Sequence, residues 1–146
     1  MSLPRLGRLG WALWLVAVPV GCTTPPQRGQ TTGCTAAQGA PMLVVELFFG
    51  RSIRNRGEVT DRAWEDFVDH LVTPNLPNGY TVFDGTGAWL NPATRHTVHE
   101  RTKILLVALP DNAADAAAIA RIRAAYQARF DQSLVGMTVT PGCGSF

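Results

Sequence analysis

Hydrophobic period switches along this chain in an order that few architectures accept. From Leu43 to Phe49 the residues are apolar, β-branched and aromatic around one glutamate, which predicts a strand. A helical stripe follows, in which Trp64, Phe67, Val68, Leu71 and Val72 recur at three- and four-residue spacing. Thr60 is placed to cap its start and Pro74 to stop it. Tyr80 to Phe83 and Lys103 to Leu109 are strand-like, and Ala88 to Leu90 predicts a short extra strand in a hairpin turned by Asp84-Gly85-Thr86-Gly87. An alanine-rich stretch capped by Asp111 or Asn112 carries a second stripe of Ile119, Ile122, Tyr126 and Phe130, and Leu134 to Thr140 closes the series as a strand. The order β-α-β-β-α-β predicts an α+β, ferredoxin-like split arrangement, with two helices on one face of an antiparallel sheet. The folded part runs from Met42 to Phe146, enough for one core.

This topology sets the first and third strands side by side at the sheet centre. Alternation along the first strand sends Leu43, Val45, Leu47 and Phe49 to one face and Val44, Glu46 and Phe48 to the other. If the fully apolar set meets the helices, Val44 and Phe48 flank one carboxylate on the open face, with Leu105 and Val107 expected to join them. A face that apolar is seldom left in water. An identical subunit, a small molecule or a partner protein are the candidate covers. Glu46 is the sharpest candidate for chemistry, because a carboxylate inside an apolar strand is costly unless paired or protonated. Its natural partner is Lys103 on the neighbouring strand, unless Glu100 takes that lysine. One reading is a general base or ligand-anchoring acid; the other is a structural ion pair.

The N-terminus carries an address. Arg5 and Arg8 precede an apolar run from Leu9 to Val20 that closes on Gly21-Cys22, the layout of an export signal and too short for a spanning helix. Val20, Gly21 and Cys22 resemble the lipobox of bacterial lipoproteins, with Pro19 where that pattern usually has leucine. The resemblance implies cleavage of residues 1–21, acylation of Cys22 (palmitate among the chains), and stable residence on the cell membrane or outer membrane with the domain outside the cytoplasm. Residues 22–41 contain almost no large apolar group and are expected to be a flexible tether. The whole chain has 13 Lys+Arg and 11 Asp+Glu, so discarding Arg5 and Arg8 leaves eleven of each sign. That neutrality removes the case for nucleic acid, which needs a clustered positive excess. With Cys22 acylated, Cys34 and Cys143 remain as an even pair in an oxidising compartment. A bridge between them would be worth up to roughly 4.7 kcal/mol in the chain-entropy model; the alternative is two unrelated thiols.

The segments ELFFG (Glu46 to Gly50), WEDFVDHLVTPNLPNGYTV (Trp64 to Val82), DGTGAW (Asp84 to Trp89) and HERTKILLVALP (His99 to Pro110) together resemble the bacterial domain-of-unknown-function family numbered 3574. Many of its members look like lipoproteins. The resemblance supports the domain limits and the compartment, and implies no activity.

Other candidates carry less. Arg51, Arg54 and Arg56 crowd the loop after the first strand and could clamp a carboxylate or phosphate. Glu58, Asp61 and Asp66 follow at once and can neutralise them, which favours a solvated loop. His96 and His99 would point to opposite faces of a strand, and no third metal ligand is evident. No nucleophile has a recognisable setting, and no cofactor motif is present. The sequence thus reads as a membrane-tethered module that binds a small molecule or an envelope protein on its open sheet face, with a homodimer as one candidate. The ligand-binding candidates are Glu46, Arg51, Glu100 and Lys103. The alternatives are a small acid/base enzyme with Glu46 and Lys103 as catalytic candidates, or a structural envelope protein.

Overall fold

The structure is a computed structural model that describes residues 33–53 and 56–146. Strand β1 (Ala40–Gly50) leads into a small ribbon of β2 (Ser52–Ile53) and β3 (Gly57–Glu58). One helical run follows, made of α1 (Asp61–Phe67), a π-helical stretch Val68–Val72 and a last turn α2 (Thr73–Asn75). Then come β4 (Thr81–Leu90), β5 (Thr97–Leu109), α3 (Ala113–Phe130) and β6 (Gly136–Gly144). The main sheet has the order β4-β5-β1-β6 with every neighbour antiparallel, the split arrangement expected from the order of elements.

The helical caps fall on the expected residues. The Thr60 hydroxyl accepts from the Ala63 N–H, and the Asn112 side chain accepts from the Asp115 N–H. Pro74 does not stop the first helical run but sits inside its last turn. There the bonding widens, with Thr73 N–H donating to Val68 C=O before Leu76 N–H returns to Val72 C=O, so the proline's missing donor falls in the changeover. The Leu71 carbonyl in that region accepts from the Asn75 side chain.

Val45, Leu47 and Phe49 of β1 turn to the helices and are buried, as their alternation predicts. Phe49, Trp64, Phe67, Tyr126 and Phe130 form one aromatic cluster, with Phe49 and Tyr126 centroids 4.8 Å apart and edge-on. The Tyr126 hydroxyl donates to the Gly50 carbonyl at 2.9 Å, which ties α3 to the end of β1.

Two expectations about the sheet are corrected. Val45 pairs with Val107 and Leu47 with Leu105, so Leu105 and Val107 belong to the buried helix side, not the open face. Direct partners in an antiparallel pair share a face, and it is Ile104, Leu106 and Ala108 that join Phe48, Glu46 and Val44. Asp84-Gly85-Thr86-Gly87 is not a hairpin turn: β4 runs straight through it, and the turn lies at Asn91 to His96, closed by Asn91 N–H to His96 C=O. Gly85 allows a close approach, since a Cβ there would meet Ile104 Cδ1 at 3.1 Å and that side-chain end would have to shift.

Cys34 and Cys143 are disulfide-bonded, across a sequence separation of 109. Cys22 and Arg54 lie outside the described residues.

Candidate functional site

The open face is assembled from all four long strands. Register places Val44, Glu46 and Phe48 from β1 beside Ile104, Leu106 and Ala108 from β5, with Thr81 and Phe83 from β4 and Thr138 and Thr140 from β6 at the flanks. The β1 and β5 members are half-buried, and Phe83 is 50% exposed. Glu46 lies between Leu106 and Thr138, and its Oε2 accepts from the Thr138 hydroxyl at 2.7 Å. One carboxylate thus stands oriented among apolar neighbours. At one end of this face is a cleft of about 550 Å³ lined by Met42, Tyr80, Thr81, Leu106, Ala108 and Phe146. Glu46 adjoins the cleft through its pairing with Leu106 and is not among its lining residues. The combination of apolar floor and lateral carboxylate suits a flat molecule that carries a donor or a cationic group.

The other ligand-binding candidates do not gather around Glu46. Lys103 pairs with Phe49 and Asp84, which places it on the helix side; its Nζ is 2.7 Å from Asp84 Oδ1 and 3.8 Å from Asp61 Oδ1. Neither Glu46 nor Glu100 takes that lysine. The carboxylate of Glu100 is over Gly50, where a Cβ would meet its Oε1 at 2.6 Å, and it accepts from the Ser52 N–H at 2.9 Å. The reason is parity: Glu46 and Lys103 sit on odd offsets in the register, so no rotamer brings them to one face.

Arg51 is a second correction. It is 2% exposed and not part of a solvated loop. Its guanidinium donates to the Val59 carbonyl, through Nε at 2.7 Å and through Nη2, and Nη1 is 2.8 Å from Asp61 Oδ1. Val59 N–H returns to the Arg51 carbonyl, so side chain and backbone together staple the end of β1 to the start of α1. Arg56 lies outside, paired with Asp131 at 2.8 Å. His96 is in the exposed β4–β5 turn and His99 is on β5 opposite Ala88.

The Lys103 hydrogen bond, with that lysine's charge, holds the Asp84 carboxyl below its ordinary value. Arg129 does the same for Asp66, first through its hydrogen bond. Burial pushes the Tyr126 hydroxyl up. Asp61 neutralises Arg51, as expected from its place after that arginine, whereas Asp84 as the partner of Lys103 and Phe146 as a wall of the cleft were not singled out by the sequence. The first of these was legible from alternation, since Asp84 shares a face with Val82; the second depended on where the tail returns.

Strand order and helix placement define an α+β split βαβ domain of the ferredoxin-like kind. The chain belongs to the family described as "Protein of unknown function (DUF3574)", which it matches over residues 44–146. No curated protein matches it. Among solved structures it is similar to a phage SAM lyase in complex with S-methyl-5'-thioadenosine, with a TM-score of 0.52 and 12% identity, covering 68% of this chain and 80% of that one. At that identity the likeness concerns the fold.

Proposed function

We propose that the protein is an exported lipoprotein, anchored through Cys22, whose single domain binds a small molecule on the open sheet face. The observation that carries this reading is the half-buried apolar face of Val44, Phe48, Ile104 and Leu106 around a carboxylate oriented by Thr138. The cleft beside it is of a size usual for ligand sites. Binding is favoured over catalysis because Lys103 and Arg51, the cations an enzyme reading would pair with Glu46, are on the helix side and engaged by Asp84, Asp61 and Val59. The phage lyase with a similar fold was solved with a nucleoside thioether, which makes S-methyl-5'-thioadenosine a sensible first probe.

The test is native mass spectrometry of the chain purified from the cell envelope. A reproducible small adduct is expected, lost in Glu46→Gln with the fold intact. Envelope-purified material that carries no adduct, and takes up no probe, overturns the binding reading. Cys22→Ser is expected to remove the acyl mass and move the chain to the soluble fraction; an unchanged mass and location overturns the anchor.

A further inference from the structure

The sheet sorts charge between its faces. The four long strands carry three basic residues, His99, Arg101 and Lys103, and all three stand at alternate positions of β5, on the parity that pairs Lys103 with buried Phe49. Of the three acidic residues in these strands, Asp84 has that same parity, opposite Lys103. Glu46 and Glu100 have the other, in line with Ile104 and Leu106, and belong to the open face. Neither has an ion-pair partner among the described residues. The open-face positions of the strands thus hold two carboxylates and no cation.

Both carboxylates are oriented through one oxygen. The Thr138 hydroxyl donates to Glu46 Oε2, and the Ser52 N–H donates to Glu100 Oε1 at 2.9 Å; among the described residues, neither second oxygen accepts a hydrogen bond. The Glu100 carboxylate fills the space that a side chain on Gly50 would need, its Oε1 lying 2.6 Å from the Cβ position there. Gly50 is four residues beyond Glu46 on the same strand and the same face, so the two carboxylates stand about 13 Å apart along β1. Phe48 lies between them and is half-buried. Each end of this line opens on a cleft. Glu46 adjoins the one walled by Met42 and Phe146, and Glu100 lines another of about 630 Å³ together with Trp89, Val98 and Gln132. Asp131 lines the second cleft as well, already paired with Arg56.

We infer that the ligand of the open face is an elongated organic cation with an amine at each end, a linear polyamine by chemical class, held at one end by Glu46 and at the other by Glu100 with its chain across Phe48. This rests on the reading that the open face binds a small molecule and names the kind of molecule. An anionic ligand would meet two carboxylates and no cation on this face. A wholly apolar one would cover both carboxylates and leave them without partners, which is costly. Two ammonium groups instead form a charge-assisted hydrogen bond at each end. The methylene chain between them lies on Phe48 and Ile104, and positive charge carried along it is attracted to the Phe48 ring. Specificity for length follows from the separation of the two carboxylates, which a short diamine cannot span.

The test is calorimetric titration of spermidine into the full chain purified from the cell envelope. Putrescine serves as the short control, and suberate, with a carboxylate at each end, as the control of opposite charge. Spermidine is expected to bind, putrescine about tenfold more weakly, and suberate not at all. Glu46→Gln and Glu100→Gln each keep the oxygen that accepts from Thr138 or Ser52, and each is expected to weaken spermidine about tenfold at an unchanged urea midpoint. Absence of spermidine binding overturns the inference, as does equal affinity for putrescine or an affinity that Glu100→Gln leaves unchanged. The two readings fail separately. A neutral or anionic adduct on the envelope-purified chain, lost in Glu46→Gln, overturns the amine and keeps the small-molecule reading, whereas no adduct and no uptake of any probe overturns both.

Discussion

The two faces of the sheet are made by alternate residues of the same strands, yet they do different things. Toward the helices, Leu47, Phe49 and Leu105 are fully buried and the aromatic rings of Phe49, Trp64, Phe67, Tyr126 and Phe130 interlock. Toward the open side, Phe48, Ile104 and Leu106 are only half-buried, and Phe83 is more exposed still. The cations follow the same division, with Arg51 and Lys103 on the covered side and held by carboxylates. Stability is therefore concentrated on one face, and the other retains apolar surface free to meet a ligand.

The sharpest way to break that comparison is to truncate neighbouring phenylalanines on opposite faces. Phe49→Ala is expected to cost about 4 kcal/mol, seen as a lower urea midpoint at constant slope. Phe48→Ala is expected to cost about 1 kcal/mol; equal costs would mean that the open face is packed in solution. Arg51→Met is expected to cost about 2 kcal/mol, because the Val59 carbonyl loses its donor, and thermal unfolding reads this directly. Glu46→Leu is expected to change stability by less than about 0.5 kcal/mol while abolishing ligand uptake, whereas a large loss would make the carboxylate structural.

The smallest effect concerns pH. Asp84 has a lowered folded value relative to 3.8, so the stability it contributes is present above that pH and is lost as pH falls through the lowered value. In Asp84→Asn the acid limb of a stability-versus-pH curve is expected to be shallower below about pH 4. An unchanged curve would remove Asp84 from the comparison.

The fold was legible because its signals are periodic. Val45, Leu47 and Phe49 on one strand and Ile119, Ile122, Tyr126 and Phe130 on one helix each announce a buried face. What failed was register. Placing Leu105 and Val107 opposite Val44 and Phe48 is an error of one residue, and a slip of one exchanges the faces. Asp84-Gly85 misled because a turn signature and a strand glycine are chemically identical; only the proximity of Ile104 separates them. Arg51 was misjudged for a similar reason. Its burial depends on the Val59 carbonyl eight residues on, a tertiary partner that local charge counting does not reveal.

The disulfide has a mechanical consequence. Cys143 pairs in register with Pro41, at the same end of the sheet where the chain enters β1 from Cys34. A pull on the residues before Cys34 is therefore shared between β1 and β6, and both are drawn from the same end. Neither strand slides past the other under such a load, so the bonds between them cannot be peeled open from that side. The force passes instead to the β1–β5 ladder, whose eight register positions from Leu43 to Gly50 bear it in shear.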